Sequence, residues 1–216
     1  MAKLKVCGVR DLDSLNWLDY AADYIGFVYS PGTPRNIDPL EADSYASTLS
    51  RARPVLVVTE RSPSRIIDIA GSLKHIEIIQ IHSVLPPVEI AVLARALGDE
   101  GVSLSPVLLW NGVWERIDPC RLYRLIKDYN VNVEYVLMDR RKGIKERIPR
   151  RLIEEAVKCV PHLGVAGGLD PDYICRVLGG LNPMLVDVSS WVESSPGVKD
   201  LDKVLSFKKS VEVCLS

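Results

Sequence analysis

Short apolar runs rich in β-branched residues recur along the chain, and each is followed by a segment with helical character. The runs carry apolar residues on both faces, as do the strands of a parallel sheet that is covered by helices. Eight such runs predict eight strands, at Leu4–Cys7, Tyr24–Val28, Pro54–Val58, Ile76–His82, Pro106–Trp110, Val133–Asp139, Leu163–Ala166 and Met184–Val188.

The segments between the strands open with residues that are typical of helix N-termini. Asp11 can cap the first helix, and a proline at the first helical position lacks only an amide hydrogen that the helix does not use. The last helix is predicted from about Lys199 to Val213. The proline-led openings are Asp38-Pro39, Ser62-Pro63, Pro86-Pro87, Asp118-Pro119, Ile148-Pro149 and Asp170-Pro171.

Eight strand–helix units predict a closed (β/α)₈ barrel, the TIM-barrel fold. Parallel strands need crossover connections of this kind, and such barrels contain about 200 residues or more. An open doubly wound sheet is the alternative, but it usually has fewer strands and would separate the first strand from the last. No linker-like or low-complexity segment divides the chain, so residues 1–216 are predicted to form one domain.

The composition excludes some classes of partner. The chain is 47% hydrophobic and 25% charged, with a net charge of -1, and its basic and acidic residues are interspersed. This argues against nucleic acid or a membrane surface as the main partner. The N-terminus has no signal-peptide apolar region, and no segment approaches the ~20 apolar residues of a membrane span. We therefore expect a soluble, cytoplasmic protein.

The cysteines follow no recognisable pattern. There is no Cys-x-x-Cys and no Cys/His ligand spacing, so the sequence predicts neither a disulfide framework nor a zinc site, and we expect reduced thiols. The five cysteines are Cys7, Cys120, Cys159, Cys175 and Cys214.

Polar and special residues stand at the predicted C-terminal ends of several strands, where barrel interiors usually carry Val, Ile or Leu. Barrel proteins place their functional residues at these ends and in the loops that follow them. The candidates chosen by position alone are Cys7, residues 29–35, His82, Asp139, Gly167, Gly168 and residues 187–190.

An anion site is predicted from two neighbouring loops. Gly167 and Gly168 lie between the seventh strand and a helix, where backbone N–H groups can approach a phosphate and a helix N-terminus favours negative charge. Ser189 and Ser190 follow the eighth strand, and barrel phosphate sites commonly use these two loops. The alternative for the glycine pair is a tight turn without a ligand.

Cys7 and Asp139 end the first and sixth strands, on opposite sides of the predicted barrel mouth. In isolation, a cysteine is more often a small buried hydrophobe, and an Asp more often caps a helix or pairs with a nearby arginine. Together, a thiolate base and a carboxylic acid suffice for proton transfer next to a carbonyl or imine. Such chemistry at neutral pH needs a Cys pKa below ~8.5 and an Asp pKa above ~3.9.

Taken in order, these motifs resemble the phosphoribosylanthranilate isomerase family, over nearly the whole chain from Lys3 to about Asp202. Each motif alone is weak evidence for the family, but the order and spacing of the motifs together make the match specific. The resemblance is carried by Lys5-Val6-Cys7-Gly8, Gly26-Phe27-Val28 with Pro34-Arg35, Gln80-Ile81-His82, Asp139, Gly167-Gly168-Leu169-Asp170-Pro171, Asp187-Val188-Ser189-Ser190, Val192-Glu193, Pro196-Gly197 and Lys199-Asp200.

The resemblance implies an Amadori rearrangement of N-(5-phosphoribosyl)anthranilate in tryptophan biosynthesis. It makes Cys7 the general base and Asp139 the general acid, and it sets Arg35 against the anthranilate carboxylate. It implies a small phosphoribosyl substrate and a monomer or homodimer, with no metal and no organic cofactor. The phosphate would be held by Gly167, Gly168, Ser189 and Ser190, and the remaining substrate-binding residues are Gln80, His82 and Asp187, of which Gln80 and His82 fit structural hydrogen bonding better than catalysis.

The chain departs from the family pattern in two places. After the acid, the family usually carries a glycine-rich loop that closes over the phosphate, whereas residues 140–147 are short and basic here. Trp191 stands where the family usually has glycine. We expect Arg140, Arg141 or Lys142 to replace some of the lost amide contacts with charge.

Two alternative functions stay open. One is a related barrel that isomerises another aminoaldose phosphate, as in the histidine pathway, although that family has an aspartate where this chain has Cys7. The other is a catalytically weak paralogue that serves in binding, which the altered loop and Trp191 suggest.

Overall fold

Eight parallel strands close into a barrel in the computed structural model, which describes residues 1–215. The strands are β1 (Lys3–Cys7), β2 (Tyr24–Tyr29), β3 (Arg53–Val58), β4 (Ile78–Ile81), β5 (Ser103–Trp110), β6 (Val136–Arg140), β7 (Leu163–Val165) and β8 (Leu185–Val188). Each strand pairs with the next, and β8 pairs with β1. The predicted (β/α)₈ barrel is confirmed, and the open sheet is wrong because the first and last strands are hydrogen-bonded neighbours.

Helices alternate with these strands. They are α1 (Leu12–Ala21), α2 (Pro39–Ala46), α3 (Pro63–Gly71), α4 (Pro87–Asp99), α5 (Pro119–Asp128), α6 (Arg150–Val157), α7 (Pro171–Tyr173) and α8 (Leu201–Cys214). Most begin at a proline, as predicted, and α7 continues into a π-helical turn over Ile174–Leu178. None of the helices within residues 1–215 is long and apolar enough to cross a membrane.

A small antiparallel hairpin precedes the last helix and was not predicted. Its strands are β9 (Glu193–Ser195) and β10 (Val198–Lys199), which are too short to show an alternating pattern in the sequence. The hairpin brings Glu193 and Lys199 together, with 2.8 Å between Lys199 Nζ and Glu193 Oε1. It thereby carries two charged side chains to the barrel end where β1 and β8 finish.

The barrel interior holds both an apolar cluster and polar groups. Because successive strand residues point to opposite faces, Lys5 and Cys7 of β1 share the inner face. Tyr24 and Tyr135 pack edge to face inside the barrel, with ring centroids 5.8 Å apart. A second, larger apolar cluster lies between the strands and the helices. The inner face of the strands therefore carries polar and ionisable side chains toward one end of the barrel, and the outer face packs against the helices.

The expectation that the cysteines are reduced and unpaired is wrong for four of the five. Cys120 of α5 is bonded to Cys159, just after α6, and Cys175 in the π-helical turn is bonded to Cys214 of α8. The paired Cα atoms are 5.4 and 5.0 Å apart, within the usual range for disulfides. Irregular spacing in the sequence hid these pairs because it does not show which helices are neighbours. Cys7 is a free, buried thiol.

Candidate active site

The C-terminal ends of the strands surround a pocket of about 490 Å³. This volume lies within the ~300–1,000 Å³ that is typical of small-molecule sites. The pocket is lined by all ten site residues that the sequence singled out, which are Cys7, Arg35, Gln80, His82, Asp139, Gly167, Gly168, Asp187, Ser189 and Ser190. Among the described residues, no three His, Cys, Asp or Glu side chains cluster in a way that could hold a metal ion.

Cys7 ends β1 and is paired in register with Gly26 of β2. A Cβ atom on Gly26 would lie 2.7 Å from Cys7 Sγ, so the missing side chain at this position makes room for the thiol. Burial raises the pKa of the Cys7 thiol, while the ammonium groups of Lys5 and Lys199 act in the opposite direction. The charge of Asp187 adds to the rise, so the lowered Cys pKa that the sequence-based hypothesis requires is not found, and Lys5 and Lys199 only limit the increase.

Lys5 and Asp187 form a buried ion pair next to Cys7, with 2.6 Å between Lys5 Nζ and Asp187 Oδ2. Burial lowers the pKa of Lys5, but the charge and hydrogen bond of Asp187 oppose that effect. Together with the charges of Cys7 and Tyr135 they outweigh burial, and the pKa of Lys5 is raised. The other carboxylate oxygen, Asp187 Oδ1, is buried and has no hydrogen-bond partner among the described residues. The Asp187 residue lines the pocket, but this oxygen is shielded from it.

Sequence reasoning did not single out Lys5. The available signal was its spacing, since a residue two positions before Cys7 shares the inner face of the strand. A lysine on that face is buried and must therefore be paired.

Asp139 is the penultimate residue of β6, on the other side of the pocket from β1. Burial, followed by the charge of Asp187, raises the pKa of Asp139 to about 7. His82 Nε2 lies 3.8 Å from Asp139 Oδ2, and burial together with the charge of Lys5 lowers the pKa of His82 to about 4. The neighbouring imidazole is therefore neutral at neutral pH and does not counter the rise at Asp139. Asp139 can hold a proton under conditions where an ordinary Asp cannot.

Arg35 is fixed by Glu193 rather than standing free. Its Nε and Nη2 atoms donate to the two carboxylate oxygens of Glu193 at 2.8 and 2.6 Å. Glu193 also accepts from Lys199, whose Nζ atom donates to the backbone oxygen of Cys7 at 2.6 Å. In the sequence, Glu193 and Lys199 were identified only as part of the motifs that resemble the family, without a role. The structure shows that they connect Arg35 to the backbone of Cys7.

Gln80 lies at the floor of the pocket and is almost fully buried. Its Oε1 atom accepts a hydrogen bond of 2.8 Å from the Tyr135 hydroxyl. Trp191 lies at the edge of the same pocket, where its indole packs against Phe207 of α8 with ring centroids 5.9 Å apart. The bulk of Trp191 is thus directed in part against a helix.

The two predicted anion-binding loops do border the same pocket. Gly167 and Gly168 both have positive φ, at 99° and 74°. The helix after them is shorter than expected, and its N-cap Asp170 already accepts the Tyr173 N–H at 2.7 Å. Any attraction of an anion by that helix N-terminus is weak, because the helix is short and a carboxylate caps it.

A family model described as N-(5'phosphoribosyl)anthranilate (PRA) isomerase matches residues 4–210. The chain is similar to an N-(5'-phosphoribosyl)anthranilate isomerase from Aeropyrum pernix, at 39% identity over 204 residues, with 93% of each chain covered. A protein of the same name from Pyrobaculum aerophilum is 35% identical over 218 residues, with 98% of this chain and 99% of that one covered.

Solved structures show the same similarity. The phosphoribosyl anthranilate isomerase from Thermococcus kodakaraensis superposes with a TM-score of 0.78 at 26% identity, covering 98% of this chain and 99% of that one. The sequence comparisons thus identify the family, and the solved structure shares its fold.

Proposed function

The chain belongs to the N-(5'-phosphoribosyl)anthranilate isomerase family, and from this premise we propose that its pocket converts N-(5'-phosphoribosyl)anthranilate to 1-(2-carboxyphenylamino)-1-deoxyribulose 5-phosphate. The reaction is an Amadori rearrangement, in which an aldose becomes a ketose without gain or loss of atoms. It needs one proton donor and one proton acceptor at different atoms of the sugar. The proposal requires no metal and no organic cofactor.

Asp139 is the general acid of this proposal. With a pKa of about 7, a substantial fraction of its carboxyl groups is protonated at neutral pH. Asp139 gives its proton to the furanose ring oxygen, the bond between that oxygen and C1 breaks, and the amine lone pair forms an iminium. The low polarity that raises the pKa of Asp139 keeps the proton on the carboxyl at neutral pH, so that it is present when the leaving oxygen develops negative charge.

Cys7 is the general base. It removes the proton from C2 of the iminium and leaves an enolamine, which becomes the ketone when C1 gains a proton and the C2 hydroxyl loses one. Burial raises the pKa of the thiol, and Lys5 and Lys199 oppose that rise. The iminium of the intermediate adds a third positive charge beside Cys7 at the step where the thiolate is needed. Because a nearby positive charge favours the ionised form of a thiol, the iminium lowers the pKa of Cys7 at that step.

Arg35 binds the anthranilate carboxylate in this proposal. Glu193 occupies its Nε and Nη2 edge, while Nη1 makes no hydrogen bond to any described residue. The guanidinium is therefore oriented by one carboxylate and can offer its remaining donors to another, an interaction suited to its planar geometry.

The other pocket residues hold the sugar and its phosphate. Asp187, which lines the pocket, accepts a hydrogen bond from a substrate hydroxyl or N–H. His82 lines the wall beside Asp139, and Gln80 completes the floor. The phosphate lies against the two glycines and two serines of the loops after β7 and β8, which are Gly167, Gly168, Ser189 and Ser190.

One observation carries this proposal: a free thiol at the end of β1 and a carboxyl with a pKa of about 7 at the end of β6 border the same pocket. Rescue of a tryptophan auxotroph that lacks the isomerase tests it in cells. Growth with the wild-type chain, and none with the Cys7→Ser variant at equal expression, is expected. A folded wild-type chain that fails to rescue would favour the alternative of a binding paralogue with little activity. If the chain turned over the aminoaldose phosphate of the histidine pathway and not the anthranilate substrate, the alternative of a related isomerase would be favoured.

A further inference from the structure

We propose that Arg140 is a phosphate-binding residue of this pocket, and that its guanidinium group covers the Gly167–Gly168 loop and supplies the positive charge that the phosphate needs. The inference deepens the proposed function and rests on it for the identity of the phosphate ester. It selects one residue from the basic segment that begins with Arg140, the last residue of β6, where the sequence analysis left three candidates.

The side chain of Arg140 lies along both glycines. A Cβ atom added to Gly168 would lie 2.6 Å from Arg140 Nη2 and 2.8 Å from its Cζ. A Cβ atom added to Gly167 would lie 2.9 Å from Arg140 Cγ. The positive φ of Gly168 favours glycine, and the missing side chain leaves room for the guanidinium beside the predicted anion loop.

Arg140 is also the arginine of this segment whose guanidinium has no carboxylate partner among the described residues. Its Nη1 atom donates to the backbone oxygen of Lys145 at 2.9 Å, and its Nε and Nη2 atoms make no hydrogen bond there. By contrast, Arg141 pairs with Glu115 at 2.6 Å, and Arg147 pairs with Asp170 at 2.5 Å. The free donors of Arg140 are the atoms that lie nearest to Gly168.

The pocket needs a cation at this point. A phosphate monoester carries about -1.5 to -2 charges at pH 7. The neighbouring helix contributes little because Asp170 caps it, and the glycine amides and serine hydroxyls are neutral. Of the other nearby cations, Arg35 is bonded to Glu193, and Lys5 beneath the pocket is bonded to Asp187. Lys142 also lines the pocket, but the atoms nearest to the two glycines belong to Arg140. Arg140 provides free charge beside the loops that would hold the phosphate.

The position of Arg140 directly after Asp139 couples phosphate binding to the acid. Burial raises the pKa of Asp139, and the positive charge of Arg140 partly offsets that rise. A phosphate bound to Arg140 neutralises this charge, so the proton on Asp139 is held more firmly while substrate is bound. The same contact thus anchors the substrate and keeps the general acid protonated.

The test measures binding of inorganic phosphate to the full chain by calorimetry, with no need for turnover. Arg140→Ala is expected to weaken phosphate binding about 10-fold to 100-fold, the loss of a charged hydrogen-bonded contact, and Arg140→Lys to recover part of it. Arg141→Ala is the control, because Arg141 is already paired with Glu115, and it should bind phosphate as the wild type does. All three variants should keep the thermal unfolding midpoint of the wild type.

A second readout follows the Asp139 carboxyl by NMR with and without phosphate. Its pKa should rise on phosphate addition in the wild type and stay unchanged in Arg140→Ala. Unchanged phosphate affinity in Arg140→Ala, or no saturable phosphate binding by the wild type, would overturn the inference. Phosphate binding that depends on Arg140 in a chain without isomerase turnover would instead refute the proposed function and leave this inference standing.

Discussion

Lys5 and Asp187 face each other across the seam where β1 and β8 close the barrel, and their charged atoms lie 2.6 Å apart in the buried interior. The pair lies at the base of the pocket, and it shifts the pKa values of other groups there. Lys5 lowers the pKa of His82 and opposes the rise at Cys7, and Asp187 adds to the rise at Asp139. One ion pair therefore sets the electrostatic background for both proposed proton-transfer groups.

Replacing Lys5 by Met should destabilise the protein, because it leaves the buried Asp187 carboxylate without its cation. The expected loss is ~3–5 kcal/mol in the free energy of unfolding, measured by urea denaturation at pH 7. The double variant Lys5→Met/Asp187→Leu should regain most of that loss and remain inactive. A Lys5→Met variant as stable as the wild type would show that Asp187 is not charged.

Asp139→Asn should stabilise the protein at high pH at the expense of activity. The folded pKa of about 7 exceeds the ordinary value of 3.8, so the folded state binds the proton more tightly than the unfolded state does. The stabilising effect of that proton is fully present below pH 3.8 and is lost as the pH rises to about 7. The advantage of the Asn variant should grow over this interval and level off above it, with an upper bound of ~4 kcal/mol. Unfolding midpoints of both proteins across the interval measure it, and parallel curves would contradict the raised pKa.

Glu193→Ala should impair substrate binding without unfolding the barrel. It releases Arg35 and removes the carboxylate that Lys199 contacts near Cys7. We expect kcat/KM to fall about 10-fold to 100-fold, in line with the loss of a charged hydrogen-bonded contact, mostly through KM. Glu115→Ala, which releases Arg141, is the matched control and should leave kcat/KM unchanged. Equal kinetic constants for Glu193→Ala and the wild type would remove Glu193 from the positioning of Arg35.

The two disulfides should stabilise the fold without taking part in the reaction. Each links residues that are 39 positions apart, and neither pair lines the pocket. Cys120→Ser and Cys175→Ser should each lose ~2–4 kcal/mol of unfolding free energy at an unchanged kcat. Treatment with a reductant should reproduce the loss in the wild type and have no effect on a variant that lacks both bonds. A drop in kcat that matches the drop in stability would contradict this separation.

The fold was predictable because its signal is local and repeats. Eight apolar runs and the proline-led helix openings between them appear directly in the sequence, and β-strand ends then identify the pocket. Positions such as Cys7 and Asp139 follow from the fold without any knowledge of side-chain contacts, since a parallel barrel gathers its strand ends at one face.

The interactions between distant side chains were not predictable. Lys5 and Asp187 lie 182 positions apart, and only the closure of the barrel makes them neighbours. The short hairpin that brings Glu193 to Lys199, the two disulfides, and the choice among Arg140, Arg141 and Lys142 all depend on which loops and helices pack together. A single sequence does not encode those contacts in any local pattern.

The most direct test of the central claim is isomerase turnover by the purified chain, followed as loss of anthranilate fluorescence from N-(5'-phosphoribosyl)anthranilate. The wild type should turn the substrate over, and Cys7→Ser and Asp139→Asn should each lose about 10²-fold to 10⁴-fold in kcat, as expected for removal of a general base or acid. Both variants should keep the circular dichroism spectrum of the folded barrel. No turnover by the folded wild-type chain would contradict the account, and a variant with the wild-type rate would remove that residue from the mechanism.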